Sequence, residues 1–394
     1  MRCAHIGDMH WGLNYPGPSP ESRFQDISRT MDWAAEQIIK DCDLVLVAGD
    51  MFKDARVFID RASIEIKAAT DWLRKISDFD IPVVVISGTP SHDAISAYHL
   101  LREMRIPGVV IMTEPGLLEM DDLSIVCLPG MNRSSLVAQE EYRSLPPHAI
   151  HQIMTEKITE TCQNLRAQCK GPTVLLGHLT YDMADKGFED VLMQHEPVLT
   201  SEAVDGFDLV CLGHIHRPQR NENVFYCGSP ERLSFNDEEI TPGFWVHEFD
   251  FIDSTDGSEC LDYSESEFIK TPARHFYTAQ WNRRDVELYL DGNNLSGIAF
   301  NDAIARVHYS CPEELNKLLD RKILEKALYQ TGAFYVAEIK ADVQRQERAR
   351  DQEVTESMGP IEALIKWAEK QGMVPREIAA LQRMAGGLLE EVAG

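Results

Sequence analysis

The chain has 394 residues, 44% of them apolar, and a formal net charge of −26 from 38 Lys and Arg against 64 Asp and Glu. That length exceeds one ordinary core and implies two or three units, and no apolar run approaches the length of a membrane span. The acid excess excludes a protein that grips nucleic acid over its whole surface, because phosphate binding rests mainly on Lys and Arg.

A cleft in which bound cations invert the local field stays compatible with that charge, and any grip on DNA would then be shared with a partner. Strand-like sequence begins at Arg2 with no signal pattern before it, so a cytoplasmic location is expected. Nine cysteines without Cys-x-x-Cys spacing fit reduced core thiols, and Cys3, Cys127 and Cys211 sit inside apolar runs.

In chain order, an apolar strand over 2–6 runs into Gly7-Asp8-Met9-His10-Trp11-Gly12. A loop rich in Pro and Gly follows, then a helix over 24–40 whose apolar stripe is Ile27, Met31, Ala34, Ala35 and Ile38. The strand over 44–48 ends on Gly49-Asp50, and a helix is expected over 60–76. The strand over 83–86 leads to Gly88-Thr89-Pro90-Ser91-His92-Asp93. A helix over 148–168 precedes the strand 173–176, which ends on Gly177-His178. The strand over 209–212 ends on Gly213-His214-Ile215-His216. This alternation of strand and helix argues an α/β unit spanning 1–252.

Beyond it, residues 253–270 read as a polar linker and 271–342 as a smaller α/β unit. The smaller unit has strands over 303–309 and 334–339 around a helix over 313–329. A charged linker is expected over 343–357 and a pair of helices over 358–394, divided at 372–375. Their stripes, Ile361, Leu364, Ile365 and Ala368, then Ile378, Leu381, Ala385, Leu388 and Val392, have the spacing of faces that dock on something.

A lone His-x-His says little, yet here four strands each end on a small residue followed by metal-ligand types. Asp-x-His, Gly-Asp, Gly-His and Gly-His-x-His in that order would converge on one rim, and mixed carboxylate and imidazole donors suit Mn, Fe or Zn. Single histidines elsewhere, His5 and His247 among them, read as surface or satisfied side chains.

The ordered set resembles the calcineurin-like metallophosphoesterases. Tyr226-Cys227-Gly228-Ser229-Pro230-Glu231-Arg232-Leu233 and the order of units resemble their SbcD-type nuclease branch. The resemblance implies an α/β fold, a β-sandwich flanked by helices, with a small α/β capping domain and C-terminal helices. It implies two divalent metal ions, manganese above all, with Asp50 bridging, Asp8, His10 and His216 on one ion, and His178 and His214 on the other. The family reads Gly-Asn-His-Asp where this chain has its third motif, which puts Ser91 at the Asn ligand position. His92 would protonate the leaving oxygen, and Asp93 would orient His92. The implied activity is hydrolysis of phosphodiester bonds at DNA ends. The implied partners are DNA, a second copy of the chain, and an SbcC-like coiled-coil ATPase bound by the C-terminal helices. A phosphatase or cyclic-nucleotide phosphodiesterase, and a weakened scaffold that only binds DNA or partner, stay open beside it.

Overall fold

A computed structural model describes residues 1–53, 63–91, 93–120, 123–131, 145–187, 197–253, 259–292, 300–344 and 358–393. Its first strands are β1 (Arg2–Ile6), β2 (Leu44–Ala48), β3 (Val83–Ile86) and β4 (Val109–Met112), which run parallel to one another. Helices α1 (Pro20–Asp41), α2 (Ser63–Ser77) and α3 (Ile95–Glu103) alternate with them. The strands β5 (Gly116–Glu119), β6 (Ser124–Leu128), β7 (Thr173–His178) and β10 (Leu209–Gly213) belong to a second sheet, with α4 (Pro147–Arg166) between β6 and β7. The short pair β8 (Thr180–Tyr181) and β9 (Val198–Leu199) and the turn of helix α5 (Ser201–Val204) fill the space before β10. Strands β11 (Gln219–Asn221) and β12 (Val224–Tyr226) complete the second sheet in the order β11-β12-β10-β7-β6-β5. The long hairpin β13 (Gly243–Asp253) and β14 (Glu259–Lys270) completes the first as β14-β13-β1-β2-β3-β4.

Strand alternation explains why the two sheets stack. On β2, Leu44, Leu46 and Ala48 meet Val174 and Leu176 of β7 in the layer between the sheets. Val45 and Val47 point the other way, into Ile27, Met31 and Ala34 of α1 and Ala69 and Leu73 of α2. The second sheet does the same with Val126, Leu175 and Val210 against Ile158 and Cys162 of α4. A β-sandwich flanked by helices results, as expected. Because β1, β2, β3, β7 and β10 run parallel within their sheets, their carboxyl ends open on one rim, where open α/β sheets bind ligands.

Residues 259–270 are a correction to the linker expected over 253–270. They pair with β13 along the edge of the first sheet, and Glu265 and Glu267 face solvent there, as charges on an edge strand do. A three-stranded parallel sheet follows: β15 (Phe276–Trp281), β16 (Ile304–Pro312) and β17 (Tyr335–Gln344). Its helices are α6 (Arg283–Leu290), α7 (Glu313–Leu318) and α8 (Arg321–Gln330). It has its own core, including Val286, Phe300, Val307, Leu324 and Leu328. The single helix expected over 313–329 is two, because Asp320 accepts from the N–H groups of Lys322 and Ile323 and caps α8.

Of the charged linker expected over 343–357, residues 343–344 finish β17, and 345–357 lie outside the described residues. Helices α9 (Pro360–Lys370) and α10 (Pro375–Ala393) pack on one another around Ala368 and expose Trp367, Met384, Leu388 and Leu389. Among the described residues no helix is long and apolar enough to cross a membrane.

Candidate metal centre

The loops leaving β1 and β2 are zipped together through their backbones. Asp8 N–H donates to Gly49 O (3.0 Å), His10 N–H to Asp50 O (3.0 Å) and Trp11 N–H to Met51 O (2.8 Å). This pairing holds Asp8, His10 and Asp50 at φ of 52°, 51° and 47°, and His214 stands at 93°. Left-handed backbone costs a non-glycine residue roughly 1 to 3 kcal/mol, and such strain gathers where side chains must be aimed. Four of the seven residues that the sequence places in the metal shell carry it.

Their side chains meet below the rim. Asp8, His10 and His216 form one group with ligand atoms within 4.8 Å of one another, and Asp8, Asp50 and His178 form another. His10 Nε2 lies 3.3 Å from His216 Nε2. Asp50 reaches both ways, with Oδ2 at 3.8 Å from His10 Nε2 and Oδ1 at 3.4 Å from His178 Nε2. The His214 ring stands 5.1 Å from that of His178, and its backbone N–H donates to both Asp8 carboxylate oxygens at 3.1 and 3.0 Å. Asp8, Asp50, His10, His178 and His214 are all buried.

Two glycines let the loops come this close. A Cβ on Gly88 would fall 1.7 Å from Asp50 Oδ1, and one on Gly213 would fall 2.1 Å from Ala48 O. Gly213 is therefore needed for close approach, and the turn itself is taken by His214.

The donors fit a divalent cation. His178 Nδ1 donates to Ala48 O (2.6 Å), which fixes the tautomer and leaves Nε2, buried and without a hydrogen bond, aimed at Asp50. A neutral ring would set a lone pair against a carboxylate oxygen. Without metal a proton relieves this: burial alone lowers the imidazole pKa, but Asp50 and then Asp8 outweigh it and hold His178 up to about 10. A metal ion would take that proton's place. Burial raises the Asp8 carboxyl above its ordinary range, and Asp50 adds to this, while His178, His216 and His214 pull it back.

The third motif differs in detail from expectation. Ser91 is exposed, whereas Thr89 is 2% exposed and gives its backbone N–H to Asp50 Oδ1 (3.0 Å). His92 lies outside the described residues. Asp93 is fully buried and accepts from Gly88 N–H (2.7 Å), Phe52 N–H (3.2 Å), Ala94 N–H (3.0 Å) and the Tyr98 hydroxyl (2.6 Å). Tyr98 in turn accepts from Met51 N–H (3.0 Å), so Asp93 and Tyr98 fasten the loops after β2 and β3 together. Burial, with Asp50 nearby, raises Asp93 to about 7.

Sequence reasoning missed Thr89 and Tyr98, and also Ser229 and Asp237. The Ser229 hydroxyl sits between Asp8 O (2.9 Å) and Glu231 O (2.7 Å), and Asp237 Oδ1 lies 3.8 Å from His216 Nδ1. Ser229 falls in a stretch the sequence did single out. Asp237 offers a local signal only through its cap with Ser234.

A second group of ligand types, His5, Cys211 and His247, lies between the sheets. Its ring nitrogens are all engaged: His5 Nε2 donates to Leu212 O (3.1 Å), His247 Nε2 lies 3.4 Å from His5 Nδ1, and His247 Nδ1 lies 2.6 Å from Ser266 Oγ. Burial lowers His5 to about 3, so these rings are neutral and satisfied, as read from the sequence.

Residues 1–218 match the family model described as calcineurin-like phosphoesterase. The chain is 26% identical over 269 residues to the SbcD component of the nuclease SbcCD of Escherichia coli (strain K12), covering 60% of this chain and 62% of that protein. It is 23% identical over 270 residues to DNA double-strand break repair protein Mre11 of Methanopyrus kandleri, covering 64% and 54%. The chain thus spans less than two thirds of the length of these relatives. Among solved structures it is similar to GAP50, the anchor in the inner membrane complex of Plasmodium, with a TM-score of 0.36 and 12% identity over 69% of this chain and 89% of that one, a likeness too low to carry any argument.

Proposed function

The chain belongs to the calcineurin-like phosphoesterase family, and on that footing we propose that it is a manganese-dependent DNA exonuclease and endonuclease acting at DNA ends. The observation that supports this best is the convergence of Asp8, His10, Asp50, His178, His214 and His216 on one rim. Similarity to relatives named as a nuclease and as a break-repair protein favours DNA over other phosphoesters.

Asp8, His10 and His216 would hold one cation and His178 and His214 the other, with Asp50 between them. When bound, such a pair supplies Lewis acidity and a water acidic enough to give hydroxide near neutral pH. The chain's own groups do the rest. His178 gives up its proton as the site loads, the His214 amide keeps Asp8 aimed, and Asp237 holds the His216 ring. His92 would protonate the leaving oxygen. Asp93 and Tyr98 keep Asp50 and Gly88 at contact distance. The hydroxyl nearest the family's Asn ligand is assigned to Thr89 or Ser91, and Thr89→Asn against Ser91→Asn, read by affinity for the second manganese, decides which.

The exposed Trp367, Met384, Leu388 and Leu389 on α9 and α10 suit docking on an SbcC-like coiled-coil ATPase. A chain ending at Ser357 should lose that partner and keep its own hydrolysis. The groove between α1 and α2, lined by Phe24, Met31, Ile64 and Ala68, suits a second copy. Ile64→Glu should then give a monomer in sedimentation. The three-stranded unit would cap the site and position DNA in a cytoplasmic repair complex.

The deciding experiment is manganese-dependent release of nucleotides from linear duplex DNA, beside bis(p-nitrophenyl) phosphate and cyclic nucleotides. Release from DNA is expected. Turnover of the small esters alone would favour the phosphodiesterase alternative, and turnover of none would favour the scaffold.

A further inference from the structure

The loop after β12 touches the metal centre at both ends and the three-stranded unit in its middle. Near its start Ser229 meets Asp8 O, and near its end Asp237 faces His216. Between them Glu231 is 1% exposed. Its Oε1 accepts from the backbone N–H groups of Arg232 and Arg274, both at 3.0 Å, and its Oε2 accepts from the Thr30 hydroxyl at 2.9 Å. Arg274 leads into β15 and grips Asp26 of α1 with two parallel bonds, Nε to Oδ2 (2.8 Å) and Nη2 to Oδ1 (2.7 Å). Its Nη1 donates to Asp302 O (3.0 Å), and its guanidinium lies 3.6 Å from the centre of the Phe334 ring. Arg23 donates to Asp26 (2.7 Å) and to Arg232 O. Farther along, Phe235 packs edge-on against Phe276 (5.0 Å) under the Arg306 guanidinium (4.1 Å), and Glu238 accepts from Thr278 N–H (2.5 Å).

Apolar contact alone would let the small unit slide. A buried ion pair adds little net stability over a packed apolar pair, but a two-pronged guanidinium–carboxylate pair fixes an angle. Here the fixed angle lies between α1, packed behind β1 and β2, and the first strand of the small unit. The same loop supports two candidate ligands, so position at one end is tied to position at the other.

We infer that residues 229–238, latched by Arg274 on Asp26, hold the three-stranded unit at one orientation to the metal centre, and that this orientation makes long phosphodiester substrates productive. For its substrate the inference rests on the nuclease reading. Arg274 and Asp26 act as positioning residues through the loop and meet no substrate themselves.

The full-length chain carrying Arg274→Gln tests this, with Arg274→Lys as the variant that keeps charge but loses the fork. Expected for Arg274→Gln is a drop of about tenfold or more in kcat/KM for duplex DNA, the scale on which a misplaced positioning element acts. Hydrolysis of bis(p-nitrophenyl) phosphate and manganese stoichiometry should stay at wild-type values, and the Arg274 and Thr278 amides should lose protection from hydrogen exchange. Arg274→Lys should recover part of the DNA activity. Equal losses on both substrates, or unchanged exchange at these amides, would overturn the inference. If Arg274→Gln does not fold, Glu238→Gln at the partly exposed rim is read the same way through Thr278. A wild-type protein that turns over the small diester but not DNA would sink the nuclease reading separately, and the exchange result would then decide the latch alone.

Discussion

At the ends of β1, β2, β7 and β10, two buried carboxylates and four imidazoles face one another on strained backbone. At the boundary between α1 and the three-stranded unit, Asp26 and Glu231 are just as buried, but they meet Arg23, Arg274, Thr30 and backbone amides. Burial pushes the acid of both Asp8 and Asp26 upward. At Asp26 the Arg274 guanidinium outweighs it and leaves the carboxyl below its ordinary range, while Asp8 stays raised with Asp50 adding to the shift. The first cluster is arranged around charge the protein does not itself supply, and the second closes on its own. A third set, His5 with His247 and Ser266, closes without any charge. Ligand-type residues gathered in a core therefore do not by themselves indicate a metal; a buried ring nitrogen such as His178 Nε2, without a hydrogen bond and facing a carboxylate, does.

The contrast breaks most sharply at Asp50. Asp50→Ala should cut manganese-dependent hydrolysis on the order of a thousandfold, since it removes a charge facing both sides of the centre. Its melting temperature in chelator at neutral pH should fall only a little, because the pairing with protonated His178 and the bond from Thr89 N–H are lost together with the repulsion between Asp50 and Asp8. Asp26→Ala should do the reverse. It strands Arg23 and Arg274 and should cost about 3 kcal/mol in urea unfolding, while manganese stoichiometry stays as in the wild type. A milder change is Tyr98→Phe, which removes the bond to Asp93 and the acceptor of Met51 N–H; about 2 kcal/mol of stability should go, with weaker manganese binding and both ions still bound at saturation.

The contrast also shows in pH. His178 is held above its unfolded value of about 6.5, so its pairing stabilises the metal-free fold fully below that pH and is lost as pH rises through about 10. Asp26 has the opposite sign: its contribution is present above the unfolded carboxylate pKa and is lost as pH falls through its depressed folded value. Melting curves in chelator across pH 3 to 10 should show both limbs, with His178→Gln flattening only the alkaline one.

Much of the sandwich was legible because β1, β2, β3, β7 and β10 are short apolar runs, and a ligand type after a small residue at a strand end marks a rim without any long-range knowledge. Strand β14 was missed because an edge strand with Glu265 and Glu267 in solvent has the composition of a linker. The break at Asp320 was readable as a helix start, yet it lay inside a continuous helical pattern. Nothing local announces that Arg274 meets Asp26, 248 residues away, or that Glu231 receives the Arg274 amide. Thr89 was passed over because the motif was aligned on its histidine, whereas the buried residue whose N–H reaches Asp50 is the one that directly follows Gly88.

The most direct test of the central claim is a calorimetric titration of the metal-free chain with manganese near pH 7, repeated in buffers of different ionisation enthalpy and with Asp50→Ala. Two ions per chain are predicted, with net proton release as the His178 proton leaves, and loss of at least one ion in the variant. Binding without proton release, or an Asp50→Ala protein that takes up as much manganese as the wild type, would contradict it.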